Sequence, residues 1–180
     1  EGYAVRTKKI ASYFKNEYEK LREENETARY YRQRLRMNYM YKGLELEWLA
    51  LKESRNEAYY NALNTILPRQ GTITELGCGY DFASYMLHFT GWNRTIIGMD
   101  SDEERIDVAN NCYSKNEQLS FVCTDPLTYD VTGSDAIVIN NLNMQLPVAK
   151  AAELFKHCFA KLSADGVLVY TGDKSALQNC

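Results

Sequence analysis

Apolar residues recur at three- and four-residue intervals over residues 3–66, the spacing of helices. From Gly71 onward, short apolar runs alternate with helical stretches. In the first part Ile10, Phe14, Tyr18 and Leu21 form one stripe, with Lys15/Glu19 and Lys20/Glu24 as i,i+4 pairs on the polar side. Thr27 reads as the N-cap of a second helix through Arg36 to Tyr41, and Gly43 breaks it. A third helix carries Leu44, Trp48 and Leu51 on one stripe and Leu63 and Ile66 near its end, where Pro68 stops it.

In the second part the pattern predicts strands at Ile73–Leu76, Thr95–Met99, Leu119–Cys123, Asp135–Ile139 and Val167–Tyr170. Helices are expected at Phe82–Phe89 and Asp102–Tyr113, and from Pro147 along the stripe Val148, Ala152, Phe155, Phe159 and Leu162. The run Ala136–Ile139 is too uniformly apolar for an exposed edge and reads as a buried parallel strand. Such alternation predicts an α/β fold, a Rossmann-like doubly wound parallel sheet of about five strands with an N-terminal helical extension. The expected division is 1–68, a helical lid or linker, and 69–180, a nucleotide-binding domain that is incomplete at its C-terminal side.

Between the first strand and its helix lies Thr72-Ile73-Thr74-Glu75-Leu76-Gly77-Cys78-Gly79-Tyr80-Asp81. Two glycines one residue apart allow positive φ and close backbone approach, and the helix after them offers free N–H groups and a partial positive charge. The dinucleotide fingerprint G-x-G-x-x-G would require a third glycine where Phe82 stands, which disfavours NAD. The order Glu75, Gly77, Gly79 instead resembles the first motif of class I S-adenosylmethionine (SAM) dependent methyltransferases. The third glycine usual in that family is Asp81 here.

Strand ends carry the remaining candidates. Glu75, Asp100, Asp125 and Asn140 each fall at or just after an apolar β run, so one fold lines all four along one rim of the sheet. Asp100, 23 residues after Gly77, is placed to accept from both hydroxyls of a ribose, with Ser101 backing that contact. Asp125-Pro126 would reach the adenine amino group. The resemblance implies that Asn140-Asn141 border the methionine part of the cofactor and the methyl acceptor, and that Gly77, Cys78 and Gly79 form the turn under its tail. No general base is identified. His88, one turn from the end of its helix, reads as a helix-terminal surface residue. Asp81 reads as an N-cap that also brings a second carboxylate towards that of the cofactor, weakening binding unless it turns away.

Composition narrows the surroundings. Residues 1–68 hold 13 Lys and Arg against 10 Asp and Glu, and residues 69–180 hold 8 against 14. Arg29–Lys42 has five basic residues and no acid, interleaved with tyrosines; this reads as a helical cap with wet hydroxyls, with RNA binding as the competing reading. Five cysteines without C-x-x-C spacing read as reduced thiols of a cytoplasmic domain with no zinc site, and no apolar run is long enough for a membrane span.

Tyr41–Trp48 followed by Ile73–Tyr80 is similar to the methyltransferase segment of large bacterial proteins that join it to a glycerophospholipid-type acyltransferase. That resemblance implies a covalently linked acyltransferase domain and a small or lipid-linked acceptor, with nucleic acid disfavoured as partner. Two functions stay open: a SAM-dependent methyltransferase, or a degenerate methyltransferase fold that serves as a scaffold or interaction module. An RNA methyltransferase is a third.

Overall fold

The computed structural model describes residues 56–91, 93–140, 142–172 and 177. The helices expected before residue 56, including the Tyr41–Trp48 and Arg29–Lys42 stretches, lie outside the described residues, as does Asn141. The chain forms two compact units, Glu1–Ala58 and Tyr59–Cys180, and the sheet belongs to the second.

The described elements are α1 (Glu57–Ile66), β1 (Gly71–Leu76), α2 (Phe82–Thr90), β2 (Arg94–Asp100), α3 (Glu103–Asn110), β3 (Leu119–Cys123), β4 (Ala136–Asn140), α4 (Leu142–Gln145), α5 (Val148–Lys161) and β5 (Val167–Thr171). All strand pairs are parallel, in the order β3-β2-β1-β4-β5. The order reverses between β1 and β4, the point at which doubly wound sheets open a crevice for ligands. The expected Rossmann-like architecture is the one observed.

Alternation along the strands assigns the two faces. Glu75 pairs with Gly98 and with Val138, and Gly98 pairs with Phe121, so these four form one row across the sheet. α2 covers this row: a Cβ on Gly98 would stand 2.8 Å from both Ser84 Oγ and Phe121, so the missing side chain lets helix and sheet close up. Leu76, Met99, Ile137 and Ile139 share a core with Ala151, Leu154, Phe155 and Cys158 of α5. That core is apolar and fully buried, the usual state of a parallel sheet covered on its face by a helix.

Several boundaries differ from those predicted. α3 ends at Asn110, because Asn111 leaves helical geometry and its side-chain amide bonds back to the Asp107 carbonyl at 2.7 Å. Asp135 precedes β4, and its carboxylate accepts from the Thr72 N–H at 2.8 Å, tying the starts of β1 and β4 together. The four-residue α4 is too short to carry a periodic signal. Ile66 is 54% exposed, whereas Tyr60, Leu63 and Leu67 bury the apolar side of α1 and its end.

Arg94, the first residue of β2, is 2% exposed. Its guanidinium donates to the carbonyls of Pro68 (2.7 Å), Leu87 (3.3 Å) and Leu67 (3.4 Å) and to Asn64 Oδ1 (2.8 Å). These acceptors sit at the ends of α1 and α2, where helix dipoles leave partial negative charge, and that charge neutralises the cation in place of a carboxylate. Among the described residues no helix is long and apolar enough to cross a membrane.

Candidate active site at the carboxyl edge of the sheet

The turn after β1 is held in place by its neighbour strand. Gly77 and Cys78 both donate their N–H to the Met99 carbonyl, at 2.8 and 2.9 Å, and Gly79 N–H donates to Asp100 Oδ2 at 3.0 Å. Gly77 and Gly79 have φ of 76° and 58°, the left-handed values that required glycine. Their surroundings differ. A Cβ on Gly77 would press against Leu142 of α4 at 3.1 Å, whereas a Cβ on Gly79 would meet no heavy atom within 4 Å. The open face of the turn is therefore at Gly79, where a ligand can approach the backbone.

Glu75 lies beneath this turn. It is 1% exposed and accepts from Ser84 Oγ at 2.6 Å. Asp100 forms the rim, with Oδ2 on Gly79 N–H and Oδ1 on Asp102 N–H, each at 3.0 Å. Cys78 is buried between them. Burial first, then the charges of Glu75, Asp100 and Asp81, push its thiol well above the ordinary range, so it stays protonated and packs as a small apolar group. Of the two acidic residues, Glu75 is thus tied to α2 through Ser84, and Asp100 forms the outer edge of the turn through Gly79.

The other candidates lie further along the same edge. Ser101 is exposed, and its carbonyl accepts the Cys123 thiol at 3.9 Å. Thr124 N–H donates to the Asp100 carbonyl at 3.0 Å, which sets the end of β3 beside the end of β2. Asp125 is exposed; one carboxylate oxygen accepts from Leu127 N–H at 2.9 Å, an Asx turn around the buried Pro126. Asn140 ends β4 half-buried and accepts from Thr171 Oγ1 of β5 at 3.1 Å. His88 sits in the last turn of α2, where its Nε2 meets Asn116 Nδ2 at 3.3 Å; α2 runs back from the glycine turn, so His88 lies at the opposite edge of the sheet.

Asp81 departs from expectation in its side chain. It occupies the N-cap position of α2, yet its φ of 78° is left-handed and it makes no side-chain cap hydrogen bond. The carboxylate is completely buried and accepts from the Cys112 thiol. Burial, then the charge of Asp81 and this hydrogen bond, push the Cys112 thiol up to about 12. The left-handed backbone gives the physical reason for a glycine at this place in the related motif, and Asp is among the few other residues that tolerate it.

Sequence reasoning did not find Ser84, Tyr80, Arg105 or Cys112. Tyr80 of the turn lies under the Arg105 guanidinium, 5.7 Å from the ring centre, which joins the turn to α3. Ser84 carried a local signal, since one helical turn after the glycine pair it faces the strand that bears Glu75. Cys112 carried none.

Comparison with known proteins bears on the fold and the family. A methyltransferase-domain family profile matches residues 74–170, from within β1 to within β5. A curated relative, the carboxy-S-adenosyl-L-methionine synthase of Campylobacter fetus subsp. fetus (strain 82-40), is 25% identical over 112 residues, covering 61% of this chain and 47% of the relative. The chain thus spans about half the length of that protein. Among solved structures, the pyocyanin biosynthetic protein PhzM superposes with a TM-score of 0.62 at 18% identity, covering 71% of this chain and 39% of that one. Geranyl diphosphate C-methyltransferase from Streptomyces coelicolor A3(2) gives 0.57 at 17% identity, covering 71% and 47%. Magnesium protoporphyrin IX methyltransferase from Synechocystis PCC 6803 with bound SAM gives 0.53 at 16% identity, covering 73% and 65%. These likenesses establish the fold. Together with the matched profile and the glycine turn, they show that the chain belongs to the methyltransferase-domain family of class I enzymes, whose cofactor is S-adenosylmethionine.

Proposed function

We propose that this domain transfers a methyl group from SAM to a small or lipid-linked acceptor. In this reading Glu75, Gly77, Cys78, Gly79, Asp100, Ser101, Asp125, Pro126, Asn140 and Asn141 border the cofactor. The observation that carries it is the turn itself: its amides are spent on Met99 and Asp100, and its Gly79 face is open. The residues present suit the cofactor. Asp100 uses one lone pair of each oxygen on a backbone amide, and a carboxylate has about four acceptor directions, so room is left for two ribose hydroxyls. One Asp125 oxygen is fixed by its Asx turn, which steadies the carboxylate for an exocyclic amine.

When bound, the sulfonium supplies an already activated methyl group. The task left to the protein is to hold donor and acceptor in line and to keep water away, which lowers the barrier without proton transfer. Asn140, braced by Thr171, is suited to such positioning. A neutral hydroxyl acceptor would in addition require a general base beside it, and none is assigned among the described residues. The resemblance of Tyr41–Trp48 and Ile73–Tyr80 supports an acyltransferase in the same polypeptide and so a lipid- or carrier-linked product as acceptor.

Asp81 favours a second reading, a scaffold that no longer catalyses, because it adds a carboxylate to the cofactor turn. Mass spectrometry of the purified protein, together with calorimetric titration of SAM, separates the two. Co-purified SAM or S-adenosylhomocysteine, or micromolar binding, is expected for the enzyme; no retained nucleoside and no heat of binding would overturn it.

A further inference from the structure

Among the described residues, the connection from β3 to β4, residues 124–135, is the one crossover of the sheet that contains no helix. It has to pass β2 and β1 to reach its place in the order β3-β2-β1-β4-β5. Without a hydrogen-bond ladder of its own, it is held by what it crosses. Leu127, Tyr129 and Val131 pack on the core that α5 shares with the sheet. At its start Asp125 organises a tight turn: its carbonyl accepts from the N–H of Thr128 (3.1 Å) and of Tyr129 (3.2 Å), and its side chain accepts from the N–H of Leu127 (2.9 Å). The turn is fastened from α5, where His157 Nε2 lies 2.8 Å from the Tyr129 carbonyl in a part-buried contact. A carbonyl only accepts, so this nitrogen carries the proton and donates it. Lys161 also reaches the segment, 3.8 Å from Asp130 Oδ1, but both side chains are exposed and such a pair holds little. Asp125 is thus linked to the imidazole through Tyr129, whose N–H bonds to the Asp125 carbonyl and whose carbonyl bonds to His157.

We propose that His157 is a positioning residue for the cofactor's base: by holding the Tyr129 carbonyl it fixes the turn that presents the Asp125 carboxylate to an exocyclic amine. This inference rests on the reading that Asp125 accepts from the adenine amino group. Asp125 is exposed and one of its oxygens is engaged by Leu127 N–H, so the direction of the other depends on where the turn sits. Hydrogen-bond distances span only about 0.5 Å, and a segment without helix or strand has little internal means of holding a group that closely. α5, packed on the sheet through Ala151, Leu154, Phe155 and Cys158, supplies the missing anchor. The preference for the base is then set in part by a residue outside the strand-end set.

The test uses two ligands that differ at one group of the base. S-adenosylhomocysteine and S-inosylhomocysteine, in which a carbonyl replaces the exocyclic amine, are titrated calorimetrically into the full chain and its variants. The parent is expected to prefer the adenine ligand by about tenfold or more, the scale of one hydrogen bond to a charged acceptor. His157→Leu, which removes the donor, should weaken S-adenosylhomocysteine about fivefold, the scale of one neutral hydrogen bond, and leave S-inosylhomocysteine within about twofold. His157→Gln offers an amide N–H at similar reach and should keep the parent's preference. If His157→Leu does not fold, His157→Met, unbranched and apolar, takes its place. Equal weakening of both ligands, an unchanged preference in the variant without a donor, or a His157→Gln protein that behaves like that variant would each overturn the proposal. A parent chain that binds both ligands equally loses the adenine contact at Asp125 and this inference with it; one that binds neither loses the cofactor reading as well, a pattern distinct from a discriminating protein indifferent to His157.

Discussion

Asp100→Asn tests the site at the residue where turn, ligand edge and helix start meet. The carboxylate accepts from Gly79 N–H and Asp102 N–H, each at 3.0 Å, and Asp102 in turn caps α3 by accepting from Arg105 N–H at 3.1 Å. An asparagine has one side-chain oxygen, so one of the two amides would face an NH2 group. The residue is 9% exposed, so water does not readily replace the lost acceptor, and a buried unsatisfied donor costs about 1–3 kcal/mol. For a chain of this size each kcal/mol lowers Tm by roughly 2–4 °C, so a fall of about 2–12 °C is expected by scanning calorimetry. Ligand affinity should fall separately. Losing a charged acceptor for a ribose hydroxyl costs about 1.5–3 kcal/mol, or about one to two decades in the Kd for SAM. Isothermal titration well below the variant's Tm keeps the two effects apart. A variant that unfolds at the parent temperature and binds SAM within about twofold of the parent would refute both roles. A lower Tm with unchanged affinity would leave the tether standing and refute the ligand contact.

Arg94→Met should destabilise the domain by about 3 kcal/mol or more, read as a lower urea midpoint. It strands carbonyls at the ends of α1 and α2 that now receive charged donors, and Arg94→Lys should recover only part, since an ammonium cannot reach four acceptors in a fixed fork. The buried thiols give a pH dependence. Burial pushes Cys158 up to about 12, and Cys112 reaches the same value by burial and Asp81. The unfolded thiols titrate near about 8.5, so above that pH the native state binds more protons and each thiol costs roughly 1.4 kcal/mol of stability per pH unit, up to its folded value. Tm should therefore fall from pH 8.5 to 10, and the fall should be shallower in Cys158→Val; parallel slopes would contradict this account.

Whatever the parallel alternation of strand and helix determines was legible in the sequence. Once the apolar runs near Ile73, Ile96, Phe121 and Val138 are strands in one parallel sheet, their ends must share an edge, and Glu75, Asp100, Asp125 and Asn140 go with them. Backbone conformation at the glycines was legible for the same local reason. What escaped is set by partners distant in sequence. Arg94 looks like an ordinary polar residue at a strand start until α1 and α2 bring their carbonyl ends to it. Asp81 illustrates the limit best, because two local rules competed there. A carboxylate before a helix favours the N-cap hydrogen bond, whereas a place that in the related motif belongs to glycine favours left-handed backbone, and the backbone prevailed. With φ at 78° the side chain makes no cap bond to its own helix, and it lies buried, where its charge helps to push the Cys112 thiol up. A motif position can thus keep its backbone conformation while its side chain departs from the local rule, so the residue type alone does not tell whether the turn is intact or lost.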